Sequence, residues 1–393
     1  MKTKIKKILF YTWWFIKFTV KMIISLILSI FLRHKNEYKN LWLIMELPKE
    51  ARDNGYWLYK YIVENQHDIN VRYVLSKDSP DYAKMPAKEN IIEPYSWNHY
   101  ILYILCNFSL STHIYGTSPG RYYSKIFKPF MLGKKEVFLQ HGITKEVIPL
   151  RGFSGWTIIV SPSEIQHLIK SGHKKPERMM QIGFPRFDSL NDSSKKQNQK
   201  VILVMPTFRS WLGGHTTVEE VIFLQSEFYR KWSAFLSNKK MIAYLKKNNY
   251  KIIFYPHRQM QKFAYLFETD DEYTEVATLS SYDLQELLRK ASLLVTDYSS
   301  VFYDFSYMKK PVIFYPFDKE KFYSKHHKYS GSLYPFGEYA ENEDSLIDSI
   351  IYISKNNFKI SKKAEKDIDD FFIHSDTRNC ERNFYAIRDL GNE

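Results

Sequence analysis

Histidine, arginine, aspartate and serine recur in this chain at one kind of place, immediately after a short apolar run. Val137-Phe138-Leu139 leads into Gln140-His141-Gly142, and Val201 to Met205 leads into Pro206-Thr207-Phe208-Arg209. Ile252 to Tyr255 leads into Pro256-His257-Arg258, and Leu293 to Val295 into Thr296-Asp297-Tyr298-Ser299-Ser300. His141 can take a proton near neutral pH, and Gly142 permits a close or left-handed backbone beside it. Such a pair suits a base that deprotonates a hydroxyl. The competing reading is a buried structural imidazole bonded to a carbonyl. Arg209, His257 and Arg258 could form a cationic wall for a pyrophosphate, with arginine making bidentate contact. Loop solvation or an ion pair with a carboxylate is the alternative for each. Asp297, Ser299 and Ser300 open a helix-like stretch to Tyr307, where they either hold a phosphate or only cap the helix.

Other polar residues bear on the same chemistry less directly. Asp53-Asn54-Gly55 precede Tyr56 to Val63, a capped helix after the apolar run Leu41–Met45, which makes Asp53 and Asn54 candidate supporting or acceptor-binding residues. In Gly183-Phe184-Pro185-Arg186-Phe187-Asp188 the proline fixes a turn, and an Arg186–Asp188 pair could lock a domain junction. His113, after Leu110-Ser111-Thr112, reads as structural. Asp376 and Arg382, with His374, form either a solvated face or a segment folded back on the site. No HExxH and no CxxC pair occur, and neither do GxxxxGK(S/T), a strand-linked GxGxxG or GxSxG. No metal and no cofactor are expected, which disfavours an ATPase or a dehydrogenase.

Placing these residues requires strands. Leu41–Met45, Val71–Leu75, Phe108–Ser111, Val137–Leu139 and Thr157–Val160 read as one sheet. Val201–Met205, Ile252–Tyr255, Leu293–Val295 and Val312–Tyr315 read as another. Helical patterns separate them, so the fold class is α/β, with two Rossmann-like domains of parallel sheet facing a cleft. The domains run 37–190 and 201–360, joined by the polar linker 191–200 and followed by a helical tail, 361–393. Ligands of such sheets sit at the carboxyl ends of strands, where the four motifs fall.

Residues 1–36 form a basic, amphipathic, membrane-associating leader. Eight lysines and arginines precede the first acid, Glu37, and supply eight of the fourteen net positive charges. Lys17 and Lys21 lie four apart, on one helical face opposite a broad apolar surface. Only eleven uncharged residues follow Lys21, short of the roughly 20 a spanning helix needs. An interfacial helix on an anionic membrane surface is expected, with a single N-terminal anchor as the alternative. The two cysteines, Cys106 and Cys380, fit a reducing cytosolic setting. The mildly basic body suits a phosphorylated or polyanionic substrate, and no recognition helix or RNP-like signature points to nucleic acid.

Taken together, Asp53-Asn54-Gly55, Gln140-His141-Gly142, Gly183 to Asp188, Thr207-Phe208-Arg209, Pro256-His257-Arg258 and Thr296 to Ser300 resemble the CDP-glycerol:poly(glycerophosphate) glycerophosphotransferase family of teichoic acid and capsule synthesis. The resemblance runs from about Asp53 to Arg382; Gln140 and Phe208 stand where the family often has tryptophan. It implies a GT-B fold at the cytoplasmic face of the cell membrane. It also implies a CDP-glycerol or related CDP-polyol donor, and a polymer or lipid-linked acceptor. By motif, His141 would be the general base, while His257, Arg209, Ser299 and Ser300 would hold or activate the donor phosphate. The expected activity is transfer of glycerol phosphate, or a related polyol phosphate, to an acceptor hydroxyl with release of CMP. A nucleotide-sugar glycosyltransferase of the same fold and a non-catalytic polyanion-binding membrane adaptor are the rival readings.

Overall fold

The computed structural model describes residues 2–114, 116–120, 124–127, 133–143, 150, 153–212, 217–269, 272–278, 281–325 and 336–392. The chain divides into two compact units. The first comprises Met1–Gly142, Ile148–Asp188 and Asp376–Glu393, and the second Ile143–Val147 with Ser189–Ser375.

The first unit is built on seven parallel strands: β1 (Leu41–Met45), β2 (Asn70–Val74), β3 (Ile91–Ile92), β4 (Phe108–Ser111), β5 (Lys135–Phe138), β6 (Trp156–Ile159) and β7 (Met179–Gln181). Their order is β3-β2-β1-β4-β5-β6-β7, the doubly wound arrangement in which the order reverses beside the first strand. Central β1 is buried at all five positions, as a parallel strand covered on both faces must be, which is why it reads as an unbroken apolar run. The helix Asn54–Asn65 follows, with the Asp53 carboxylate accepting from the Asn54 N–H at its start.

The leader is one helix, Lys2–Leu32. Phe18, Met22, Ser25 and Ser29, spaced four, three and four apart, form a buried stripe. Phe18 and Met22 join a cluster with Tyr100, Leu102 and Tyr103 of the helix Trp97–Leu105. Burial of Phe18 alone stabilises this packing by about 1.5–3 kcal/mol, and the ring lies where any Cβ on Gly120 would stand, 2.1 Å away. Lys21 is satisfied within the unit, donating to Tyr95 O at 2.8 Å and lying over the Trp97 and Tyr100 rings. Trp13, Ile16, Val20, Ile23, Ile27, Ile30 and Phe31 are left exposed. By length and composition Tyr11–Leu32 is apolar enough to cross a membrane, with mean hydropathy 2.1.

The second unit repeats the scheme with β8 (Lys200–Met205), β9 (Tyr250–Phe254), β10 (Thr274–Val276), β11 (Leu293–Thr296), β12 (Val312–Phe314) and β13 (Glu338–Tyr339). All pair in parallel, in the order β10-β9-β8-β11-β12-β13. Its core surrounds Trp232, which meets Phe235, Phe254, Tyr315 and Phe317. Residues 191–200, expected as a linker, fold onto this unit: Ser193 N donates to Arg289 O, and Ser194 is buried. The expected tail 361–393 is divided. Helix Lys362–Phe371 stays with the second unit, whereas Asn379–Asp389 packs on the first.

Candidate active site

In the first unit the loops after β1, β4, β5 and β7 converge on His141. The loop after β1 supplies Glu46 and Asp53. Glu46 Oε1 accepts from the N–H groups of Asp53 (3.0 Å) and Tyr56 (2.7 Å), and Oε2 from that of Arg52 (2.9 Å), which fixes the turn into helix Asn54–Asn65. Asn54 Nδ2 donates to Leu139 O and Gln140 O, both at 2.9 Å, and its Oδ1 accepts from Arg186 N at 3.2 Å. One buried amide thus joins three segments.

Upon this scaffold the Asp53 carboxylate takes His141 Nδ1 on Oδ2 and Arg186 Nη1 on Oδ1, the latter at 2.9 Å. Arg186 Nη1 also reaches His141 O at 2.9 Å. Asp53 and Arg186 are buried, but the His141 side chain is 75% exposed. Burial works against the Asp53 charge, yet His141 and Arg186 outweigh it and hold its pKa below the ordinary value. The Asp53 charge and hydrogen bond raise the pKa of His141 against the desolvation that opposes them. Burial and the nearby Asp53 charge raise that of Glu46. With Nδ1–H donated to Asp53, neutral His141 keeps its lone pair on Nε2, the arrangement of an oriented general base.

Several expectations change here. Gly142 is not the left-handed residue: Gln140 is, at φ +50°. Arg186 pairs with Asp53 and not with Asp188. Asp188 accepts from Asn379 N and Cys380 N, each at 2.7 Å, capping the helix Asn379–Asp389. His113, read as structural, stacks on His141 with ring centres 6.0 Å apart. Asp376 and Arg382 form a bidentate pair (2.9 Å each), and Arg382 reaches Ile182 O and Asn379 Oδ1. They brace the C-terminal segment beside the loop after β7.

In the second unit Arg209, expected to meet a phosphate, is sealed with no exposed surface. Its Nε and Nη2 donate to Asp318 (2.7 and 2.8 Å), Nη1 donates to Thr207 O (2.7 Å), and Nη2 lies 2.9 Å from Asp297. Rings of Phe228, Tyr298 and Phe322 enclose the guanidinium. Asp297 Oδ1 accepts from Thr207 N (2.8 Å) and Tyr298 N (2.6 Å), so the carboxylate joins the ends of β8 and β11 and does not cap a helix. Arg209, Asp297 and Asp318 are therefore the internal frame of this loop cluster.

What the frame presents outward is His257, Arg258, Ser299 and Ser300. His257 and Arg258 are exposed, Ser299 half-buried and Ser300 exposed. His257 stacks on Phe208, and its Nδ1 accepts from Gln259 N at 3.2 Å. In the neutral ring Nε2 therefore carries the hydrogen, making it a donor where His141 Nε2 is an acceptor. Desolvation lowers the His257 pKa, with Arg258 adding to it against the Asp297 charge. The Ser299 hydroxyl accepts from Val301 N at 3.4 Å, and Ser300 precedes the helix Val301–Tyr307 without a side-chain cap bond. Glu46 and Asp318 are the residues sequence reasoning missed. Both follow an apolar run, β1 and β12, as the four chosen motifs do. Among the described residues no group of three or more His, Cys, Asp or Glu could hold a metal ion.

The fold matches solved structures. The wall teichoic acid polymerase TagF (H548A) superposes with a TM-score of 0.67 over 95% of this chain and 98% of that one, at 14% identity, which makes the architecture GT-B-like. By sequence the chain is 31% identical over 373 residues to the minor teichoic acid biosynthesis protein GgaB of Bacillus subtilis (strain 168), covering 90% of this chain and 40% of GgaB. It is 24% identical to the teichoic acid ribitol-phosphate primase of Bacillus spizizenii, over 66% of this chain and 64% of that protein. The chain thus spans less than two thirds of the length of either relative. Residues 26–388 match the sequence profile described as CDP-Glycerol:Poly(glycerophosphate) glycerophosphotransferase, and the chain belongs to that family.

Proposed function

We propose that this chain transfers glycerol phosphate, or a related polyol phosphate, from a CDP-polyol to an acceptor hydroxyl, releasing CMP, in teichoic acid or capsule-type polymer synthesis. The observation that carries the reading is the Asp53–His141–Arg186 arrangement, with an exposed imidazole oriented by a buried carboxylate, in a member of this family. His141 Nε2 takes the proton of the acceptor hydroxyl. The oxygen forms a bond to the β-phosphorus of the donor, the bond from that phosphorus to the bridging oxygen breaks, and CMP departs with the electron pair. Asp53 stabilises the imidazolium, as an orienting carboxylate does. Donation from His257 Nε2–H, Arg258 and the hydroxyls of Ser299 and Ser300 would meet the charge on the diphosphate, since placed donors are the main resource of phosphoryl transfer. Arg209 and Asp297 act behind them by fixing the loops.

The same reading puts the chain at the cytoplasmic face of the cell membrane, attached through its leader. One stripe of that helix is used in packing on the first unit, and the outer face is apolar. This favours a helix lying in the interface over one that leaves the protein to span.

CMP release from CDP-glycerol and CDP-ribitol, with membrane-extract acceptor, is the test, run beside His141→Ala. Acceptor-dependent release that the variant lacks supports the proposal. Turnover of a UDP-sugar instead, or a variant as active as the parent, would overturn it.

A further inference from the structure

Gln140 is the strained residue of the candidate site. Its φ of +50° lies in the left-handed region, which costs a non-glycine residue about 1–2 kcal/mol. Such a conformation persists only where the surroundings over-determine it. Here they do. The side chain is 1% exposed, and its Nε2 donates to Ile158 O at 2.7 Å and to Glu164 Oε2 at 3.1 Å. Glu164 is itself buried and uses Oε1 to accept from Val160 N (2.7 Å) and Ser161 N (3.1 Å). The loop after β5 is thereby fastened to the loop after β6, one peptide away from the imidazole.

We propose that Gln140, held by Glu164, is a positioning residue that sets His141 on Asp53. The side-chain clamp holds the 140–141 peptide in its left-handed turn, and the direction of that peptide decides whether the imidazole meets the carboxylate. Asn54 fixes the carbonyl of Gln140 and Arg186 that of His141, and Gln140 adds a restraint through its own side chain, one residue before the His141–Asp53 bond. Among the described residues, the groups facing the imidazole are Asp53, Arg186, the stacked His113 ring and, behind Asp53, Glu46. None of them is altered by a substitution at position 140. The inference rests on the reading of His141 as the base.

The full-length chain and four variants test it: Gln140→Met, Gln140→Glu, Glu164→Gln and the exchange Gln140→Glu with Glu164→Gln, with His141→Ala as control. Methionine keeps the volume and removes both donated bonds. The exchange lets the amide at 164 donate to the carboxylate at 140. Turnover, donor KM, the pH dependence of kcat and the thermal midpoint are measured together. Gln140→Met is expected to lower kcat about 100-fold, the scale of a misplacement near 1 Å, with donor KM unchanged. Its acid limb should move to lower pH, because the imidazole loses the Asp53 charge. The exchange should recover at least about 10-fold over the weaker of its single parents. A folded Gln140→Met protein with parental kcat and acid limb, beside an inactive His141→Ala, overturns the positioning role and leaves the base standing. An active His141→Ala overturns the base reading itself. Should Gln140→Met fail to fold, the exchange decides: restored folding without restored turnover means the clamp is structural only.

Discussion

Replacing Asp53 by asparagine removes one charge from two partners that differ in exposure. The Arg186 side chain is 8% exposed, and that of His141 is 75%. Against Arg186 the change leaves a buried guanidinium without its carboxylate, at a cost of about 3 kcal/mol or more. At about 2–4 °C per kcal/mol for a unit of this size, the thermal midpoint should fall by roughly 6–12 °C. Against His141 the loss is of charge and orientation. The imidazole pKa, raised above 6.5 by Asp53, drops back. Since the neutral ring is the base, parental turnover should decline as pH falls through the raised value. In Asp53→Asn that decline should sit at lower pH, with a plateau about 100- to 10 000-fold down as the ring loses its tautomer and aim. Stability carries the opposite sign. The His141–Asp53 contribution is fully present below the unfolded value of 6.5 and is lost as pH rises through the raised folded one. The gap in midpoint between parent and variant should therefore narrow as pH rises from 6.5 through the raised folded value. CMP release and calorimetry over that range read both effects. A folded Asp53→Asn protein with the parental plateau and acid limb would refute the assignment of Asp53 as the orienting group.

Arg209→Met should destabilise the second unit by about 3–5 kcal/mol, because it strands the buried carboxylates of Asp297 and Asp318. Calorimetry checks this, and a variant of parental stability with a raised donor KM would place the guanidinium on substrate instead. Gly183→Ala puts a Cβ 1.9 Å from Asn379 Oδ1 at a φ of +78°. The strain and overpacking should cost about 2–4 kcal/mol and free the C-terminal helix to proteolysis; an unchanged cleavage pattern would count against it. Ile23→Ser, Ile27→Ser and Phe31→Ser together should leave the thermal midpoint alone but weaken binding to anionic vesicles, whereas Phe18→Ala should cost about 3–5 kcal/mol of stability. Equal vesicle sedimentation of the triple variant and the parent would show that the outer face of the leader is not the attachment surface.

The nine strands that could be read from sequence carry apolar runs of three or more residues or, in Phe108–Ser111, an apolar–polar alternation, and each lies within two residues of its expected start. β3, β7, β10 and β13 are only two or three residues long and include polar or half-exposed positions, so no periodicity marks them. His141, Asp53 and His257 were legible because strand ends in a parallel sheet gather ligand-binding groups. The partners were not. Nothing local distinguishes an Arg186 that bonds to Asp53, 133 residues away, from one that bonds to its neighbour Asp188. Arg209 shows the same limit in reverse. An arginine at a strand end looks available until Asp318, 109 residues on, occupies it. Long-range pairing decides which polar residues are frame and which face solvent, and composition or spacing carries no trace of it.

Asp188 caps the helix Asn379–Asp389, and Asn383 Nδ2 donates to Gly183 O at 3.0 Å. The first unit is therefore discontinuous in sequence, with the stretch Ser189–Ser375 of the second unit interposed before its last eighteen residues. During synthesis at about 5–20 residues per second, the stretch Ser189–Ser375 is complete before the helix that closes the first unit has left the ribosome. The order of completion is thus the reverse of the order of emergence. A nascent or truncated chain ending near Ser375 would hold a finished second unit beside a first unit whose loop after β7, the loop that carries Arg186 to Asp53, has lost its brace.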